Sequence, residues 1–263
     1  MRPIFCPTPG WSAAVAIALG LAACSPPAPG EAQAPQGPGQ AWTAPPSVMA
    51  VTARPDGGFT VRGLSQPDVR VRLAAQDGAA YGVTADAEGR FAIDLPRAPR
   101  PQLLAVGAEV GGRMVMPRGR LFLPPAGEAG ALLLSPGAPS KPLSGEMMLG
   151  AVDYDRGGGL AVSGKAAPGA EVRVLLDGTL VRQGRPDAQG RFGLVVPGSV
   201  SPGAHLIALQ SAGRSVERRI ELVAATGGAE ASAVENGWRV VWTPEGGGTQ
   251  TSWVFALPST PSP

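Results

Sequence analysis

Few of the 263 residues carry side chains that could do acid–base or nucleophilic work. His205 is the only histidine, and it stands in "GAHLIALQ", an alternating stretch that reads as a strand rather than as a catalytic loop. No Gly-x-Ser-x-Gly elbow and no Ser-x-x-Lys accompanies it, so an activated serine lacks its usual surroundings. Asp153 and Asp155 in "VDYDRGGG" resemble half a calcium loop, but the remaining ligands are absent and a polar strand end before a glycine turn accounts for the same letters. The glycine runs at 157–159 and 246–248 precede no helix whose amino end could hold a phosphate. The expectation is therefore no catalytic residue, no metal and no cofactor. Trp238, Trp242 and Trp253 are a different case, because tryptophans in a row on a strand can stack on sugar rings or bury an edge.

Cysteine chemistry is confined to one end. The chain has two cysteines, Cys6 and Cys24, and the second sits in "LAACS", Leu21 to Ser25. Upstream, Trp11 to Ala23 runs for thirteen residues without a charge, too short to cross a bilayer and suited to the apolar part of a signal peptide. The stretch resembles the bacterial lipobox. That resemblance implies removal of residues 1–23, a diacylglycerol on Cys24 and acylation of the new amino terminus. Ser25 after the cysteine, where Asp would imply inner-membrane retention under the enterobacterial rule, implies the outer membrane, facing the periplasm. Residues 25–46 hold seven prolines and a single charge, Glu31, and so read as an extended tether. At ~3.1 Å per residue such a segment reaches on the order of 70 Å.

Charge excludes one class of partner. With Arg2 removed, 21 basic residues face 20 acidic ones, and no like-charged run provides the clustered basic face that nucleic acid requires. Glycine (38) and proline (29) are plentiful but gather between periodic apolar segments, as in an all-β protein rich in turns.

The elements that would position any site come from an internal repeat. "GGFTVRGLSQPDVRVRL" from Gly57 aligns with "GGLAVSGKAAPGAEVRV" from Gly158, and "DAEGRFAIDLP" from Asp86 with "DAQGRFGLVVP" from Asp187, both at a shift of 101. The chain thus contains two copies of one unit. "VRVRL" and "AEVRVLL" alternate apolar with polar, as strands buried on one face do. In "DAEGRF" and "DAQGRF" the aspartate should cap a tight turn, the glycine should take positive φ, and Phe91 or Phe192 should start a strand pointing inward. About seven strands per copy are expected, in the first near 48–53, 58–62, 69–75, 80–85, 90–95, 103–108 and 114–123. That count and spacing predict an all-β fold of two tandem antiparallel sandwiches.

"VSGKAAPGAEVRVLLDG" from Val162, followed by "DAQGRF", resembles bacterial Ig-like domains of cell-envelope proteins, including those that precede LysM modules in alphaproteobacteria. The first copy departs from the pattern at "LSQPD" and "AAQDG". The resemblance implies a fold strongly and a function weakly, since these residues shape turns and sheet faces.

The expected organisation is a signal peptide (1–23), lipidated Cys24 with a tether (24–46), Ig-like domain 1 (47–135), a linker (136–145), Ig-like domain 2 (146–226), and an aromatic hairpin with tail (227–263). The hairpin, "NGWRVVWTPEGGGTQTSWVFAL", should turn at Pro244 to Gly248, with Trp238, Val240 and Trp242 on one face and Trp253 and Phe255 sharing a face of the second strand. A lone hairpin is marginal in water and must pack on something. The expected function is that of a non-enzymatic, membrane-anchored envelope protein that binds or scaffolds an envelope protein. The alternative is a carbohydrate-binding protein that recognises peptidoglycan or surface polysaccharide through Trp238, Trp242 and Trp253.

Overall fold

A computed structural model describes residues 44–225, 227–244, 247–255 and 257–258. Residues 1–43, which hold the expected signal peptide, Cys24 and most of the expected tether, lie outside the described residues. The first copy runs β1 (Ser47–Ala53), β2 (Phe59–Leu64), β3 (Arg70–Ala75), β4 (Ala80–Thr84), β5 (Arg90–Leu95), β6 (Gln102–Val110), β7 (Arg113–Val115) and β8 (Arg120–Leu123). The expected positions hold, with one difference. The last strand is interrupted around Pro117, which has no N–H to give to a ladder, and β7 and β8 pair separately with β6.

All ladders are antiparallel. A three-stranded sheet, β1-β2-β5, faces a second sheet that contains β4-β3-β6-β8. Strict alternation decides which residues are enclosed. In β5 every second residue, Phe91, Ile93 and Leu95, is buried, and these meet Val71, Leu73, Leu104, Val106 and Leu121 from the opposite sheet. The second copy repeats this with β12 (Ala151–Asp155), β13 (Leu160–Lys165), β14 (Val172–Leu176), β15 (Thr179–Gly184), β16 (Arg191–Val195), β17 (Gly203–Ser211) and β18 (Arg214–Leu222), whose order in the second sheet is β15-β14-β17-β18.

The repeated letters have a common physical role. Asp86 Oδ1 accepts from the backbone N–H groups of Glu88 (3.1 Å) and Arg90 (2.7 Å), and Oδ2 accepts from Arg90 Nε (3.0 Å). Asp187 does the same toward Gln189, Arg191 and the Arg191 side chain. Gly89 and Gly190 sit at φ 78° and 75°, where a side chain is strained. Gly63 and Gly164 are fixed for another reason. A Cβ on Gly63 would meet the Phe91 ring and the Ser47 carbonyl, and one on Gly164 the Phe192 ring and the Met148 carbonyl. The phenylalanine of each turn is thus seated over the bare glycine of the strand beside it.

The segments between and after the copies are not mere connectors. β9 (Glu128–Ala129), β10 (Leu132–Leu134) and β11 (Lys141–Pro142) follow the first copy, and β10 extends its second sheet by pairing with β8 while β11 pairs with β10. β11 falls inside residues 136–145, the stretch expected to be a linker. After the second copy come β19 (Glu230–Val234), β20 (Gly237–Trp242), β21 (Gln250–Phe255) and β22 (Leu257–Pro258). The expected hairpin forms as β20-β21, and β19 adds a third strand that the sequence reading lacked. β21 then pairs with β12, giving a six-stranded sheet β16-β13-β12-β21-β20-β19, while β22 pairs back onto β9.

Candidate functional site

The three tryptophans divide between two faces of the β20-β21 hairpin. Trp238, Val240 and Trp242 project to one side, and Trp253 and Phe255 to the other, because the register sets Arg239 opposite Trp253 and Trp238 opposite Val254. Trp253 (5% exposed) and Phe255 belong to the core of the second sandwich. Trp242 (1% exposed) and Val240 join Val254 and Ala151, and across from them Phe122, Leu132 and Leu134 of the first copy's β8 and β10. Trp238 is half-buried against this cluster, and its Nε1 donates to Glu128 Oε2 at 2.8 Å.

This arrangement corrects the sugar-stacking expectation. Two of the three rings are enclosed and the third is tied down at its nitrogen, and rings on opposite faces of one hairpin cannot form a single platform. The aromatic residues instead close an apolar seam that joins the copies, so a third core lies between the two sandwich cores.

A buried carboxylate pins the chain beside that seam. Asp153 in β12 is 4% exposed and accepts four hydrogen bonds: from Ser140 N–H (2.7 Å), Ser140 Oγ (2.8 Å), Ser252 Oγ (2.6 Å) and Gln250 Nε2 (3.2 Å). Gln250 Nε2 also donates to the Ser135 carbonyl, and its Oε1 accepts from Gly137 N–H. The segment 135–140 is thereby bound to the face of the six-stranded sheet. Burial pushes the Asp153 carboxyl above the usual carboxylate range, against the lowering effect of its hydrogen bonds. Asp155 does something unrelated, capping its own turn through Gly157 N–H (2.7 Å) and Gly159 N–H (2.9 Å). Among the described residues no group of three or more His, Cys, Asp or Glu is placed to hold a metal ion.

His205 is occupied as well. Its Nδ1 lies 2.7 Å from Asp177 Oδ2 and its Nε2 2.9 Å from the Ser201 carbonyl, two acceptors that an imidazolium satisfies together. The Asp177 hydrogen bond raises the His205 pKa, and the Leu206 N–H and His205 bonds lower that of Asp177. The pair therefore supports the turn at Asp177, whose φ is 51°. A raised histidine pKa gives stability that is fully present below the ordinary histidine value and is lost as pH rises through the folded value. His205→Ala should accordingly lower the melting temperature more at pH 6 than at pH 9, measured by thermal denaturation; an equal loss at both values would show that the ion pair contributes nothing.

A groove of about 440 Å³ in which charged side chains converge lies beside β18. Trp253 and Phe255 line it together with Arg218, Arg239, Ser232, Val234 and Asn236. The Arg218 guanidinium lies 5.9 Å from the Phe255 ring centre, a cation–π distance. Sequence reading missed this groove because it depends on β19, which was not foreseen. The two-residue turn Glu235-Asn236 before Gly237 was the available signal.

No family model matches the chain, and no match is found among the curated proteins. Among solved structures the chain is similar to the BSP domain of a biofilm-associated protein, at 12% identity and a TM-score of 0.25, over 70% of this chain and 30% of that one. It thus spans less than a third of that protein's length. It is also similar to the central fibronectin-III array of RIM-binding protein, at 12% identity and a TM-score of 0.29, over 77% of this chain and 80% of that one.

Proposed function

We propose that the chain is a non-enzymatic envelope lipoprotein: acyl chains on Cys24 hold it at the outer membrane, facing the periplasm, and its two fused Ig-like sandwiches serve as a binding scaffold. The observation that carries the anchoring is "LAACS" at Leu21 to Ser25, directly after an uncharged apolar run and directly before a proline-rich segment. Several acyl chains exceed the two signals that stable attachment needs. The scaffold role is supported by the apolar seam of Phe122, Leu132, Leu134, Val240 and Trp242, which makes the copies present their outer surfaces in a fixed relation. His205, the one residue suited to general base catalysis near neutral pH, has both ring nitrogens engaged by Asp177 and Ser201.

The test is the intact mass and membrane fractionation of wild type beside Cys24→Ala, in a bacterium that processes lipoproteins. Cleavage before Cys24 with added acyl mass, and complete loss of membrane association in the variant, are expected. A wild type that keeps residues 1–23, or carries no acyl group, would overturn the anchoring.

A further inference from the structure

We infer that the free edge of β18 takes up an extended acidic peptide segment of a partner protein as an added strand, with carboxylates of that segment meeting Arg218 and Arg239. This deepens the scaffold reading by naming the chemistry of its partner, and rests on that reading only for its biological setting.

The internal repeat supplies the first observation. In the first copy β8 pairs with β6 at Leu121↔Leu104, Phe122↔Leu103 and Leu123↔Gln102. In the second copy the corresponding stretch of β17 pairs with Ile220, Glu221 and Leu222 of β18. The far edge of β8 carries β10, with Leu132 opposite Phe122 and Leu134 opposite Arg120. Among the described residues the far edge of β18 carries no strand, and β18 ends its sheet. The same architecture therefore accepts a strand at this edge in one copy and leaves the edge open in the other.

The groove lies along that open edge. Its lining includes Glu217, Arg218, Arg219, Ile220 and Glu221 in succession. Successive residues of a strand point to opposite faces, so a concavity bordered by all of them follows the backbone edge, where unpaired N–H and C=O groups are available. The stretch coincides with the positions at which β8 receives β10. β19 and β20 form the opposite side through Ser232, Val234 and Arg239, which leaves one open side at the edge and favours a single strand over a second sheet.

The inward-facing charge selects the occupant, because Glu217 and Glu221 of the lining lie on the exposed face of β18 and Glu235 stands exposed in the β19-β20 turn. Arg218 and Ile220 share the inward-facing parity of β18, and Arg239 projects into the groove from the same face as Trp253. Among the described residues neither guanidinium has a carboxylate partner: Arg218 donates to its neighbour's carbonyl through Nη1, its Nε is buried without an acceptor, and the side chain of Arg239 makes no hydrogen bond. Two guanidiniums over an aromatic floor match an inward-facing carboxylate, which one of them can bind bidentately. Main-chain bonds to the edge would supply affinity, and alternate side chains specificity, as in strand addition generally.

The probe is an acetylated, dye-labelled heptapeptide alternating threonine with aspartate, titrated into the purified full-length chain by fluorescence anisotropy. A lysine-for-aspartate peptide, and two versions of the acidic peptide with alternate backbone nitrogens methylated in the two registers, serve as controls. Saturable binding of the acidic peptide is expected, with about a tenfold loss for each of Arg218→Ala and Arg239→Ala. The lysine peptide should not bind, and one of the two methylated registers should lose binding while the other keeps it. The peptide comparisons use wild type alone, so they stand even if a variant unfolds. Absent binding, equal binding of the lysine peptide, or equal binding of both methylated registers would overturn the inference. None of those outcomes bears on acylation of Cys24, which the mass and fractionation test decides separately.

Discussion

Trp242→Ala is expected to lower the unfolding free energy by about 3 kcal/mol, near the lower end of the range for large aromatic truncations in cores. The ring is 1% exposed and is packed with Phe122, Leu132 and Leu134 from one copy and Ala151, Val240 and Val254 from the other sheet. Its removal leaves a void between two sheets whose backbones are fixed by their own ladders, so collapse around it is limited. The lower end is chosen because the indole Nε1 is itself buried without a partner, and the wild type already bears that cost. Trp242→Phe, which sheds the unpaired donor, should cost less than its lost area implies. For a chain of this size the alanine variant should melt roughly 6–12 °C lower. Protection from amide exchange should fall further in β10 and β20, which border the void, than in β14 and β17, which do not. A loss below about 1 kcal/mol in urea unfolding, or a uniform change in exchange, would mean that the seam does not hold the copies together.

The legibility of the sequence followed the locality of each signal. Alternation in "RFAIDL" and the turn letters of "DAEGRF" act within a few residues, and the strands, turns and positive-φ glycines they imply lie where expected. Gly63 and Phe91 were visible as repeated letters, but their relation as bare strand and seated ring needed the β2-β5 register. The β20-β21 register was needed to place Trp253 on the face opposite Trp238 and Trp242, whose shared face followed from strand period alone. What covers each face did not, because β10 and the β20-β21 hairpin stand more than a hundred residues apart and nothing in "ALLLSPG" states which sheet it joins. β10 and β11 were overlooked for the same reason, being too short to show a period. Asp153 looked like a half-built ligand set because sequence spacing cannot show that Ser140, Gln250 and Ser252 converge on it from two other segments.

That convergence carries the second large effect. Asp153→Ala removes the acceptor for four donors at once, and they are not equally able to adapt. The Ser140 and Ser252 hydroxyls can rotate, and Gln250 keeps the Ser135 carbonyl, but the Ser140 backbone N–H is fixed and buried. One stranded donor costs about 1–3 kcal/mol, and with the vacated volume the loss should be about 3 kcal/mol at pH 4, where the Asp153 contribution is fully present, and smaller at pH 7. Asp153→Asn behaves differently. Its amide oxygen can take the Ser140 N–H while its NH2 group donates to the two serine hydroxyls, where a protonated carboxyl, with one hydrogen, can donate to only one of them. Because burial raises the folded pKa, the contribution of Asp153 to stability is fully present below the unfolded carboxylate value near 4 and declines as pH rises through the folded value. Asparagine has no such decline. The stability difference between wild type and Asp153→Asn should therefore move in favour of the variant between pH 4 and pH 7, while Asp153→Ala stays below both. Chemical denaturation of the three proteins at those two pH values measures this directly. Parallel pH profiles for wild type and Asp153→Asn would mean that Asp153 keeps its charge throughout, held by its donors against burial, so that segment 135–140 is fastened equally at both pH values.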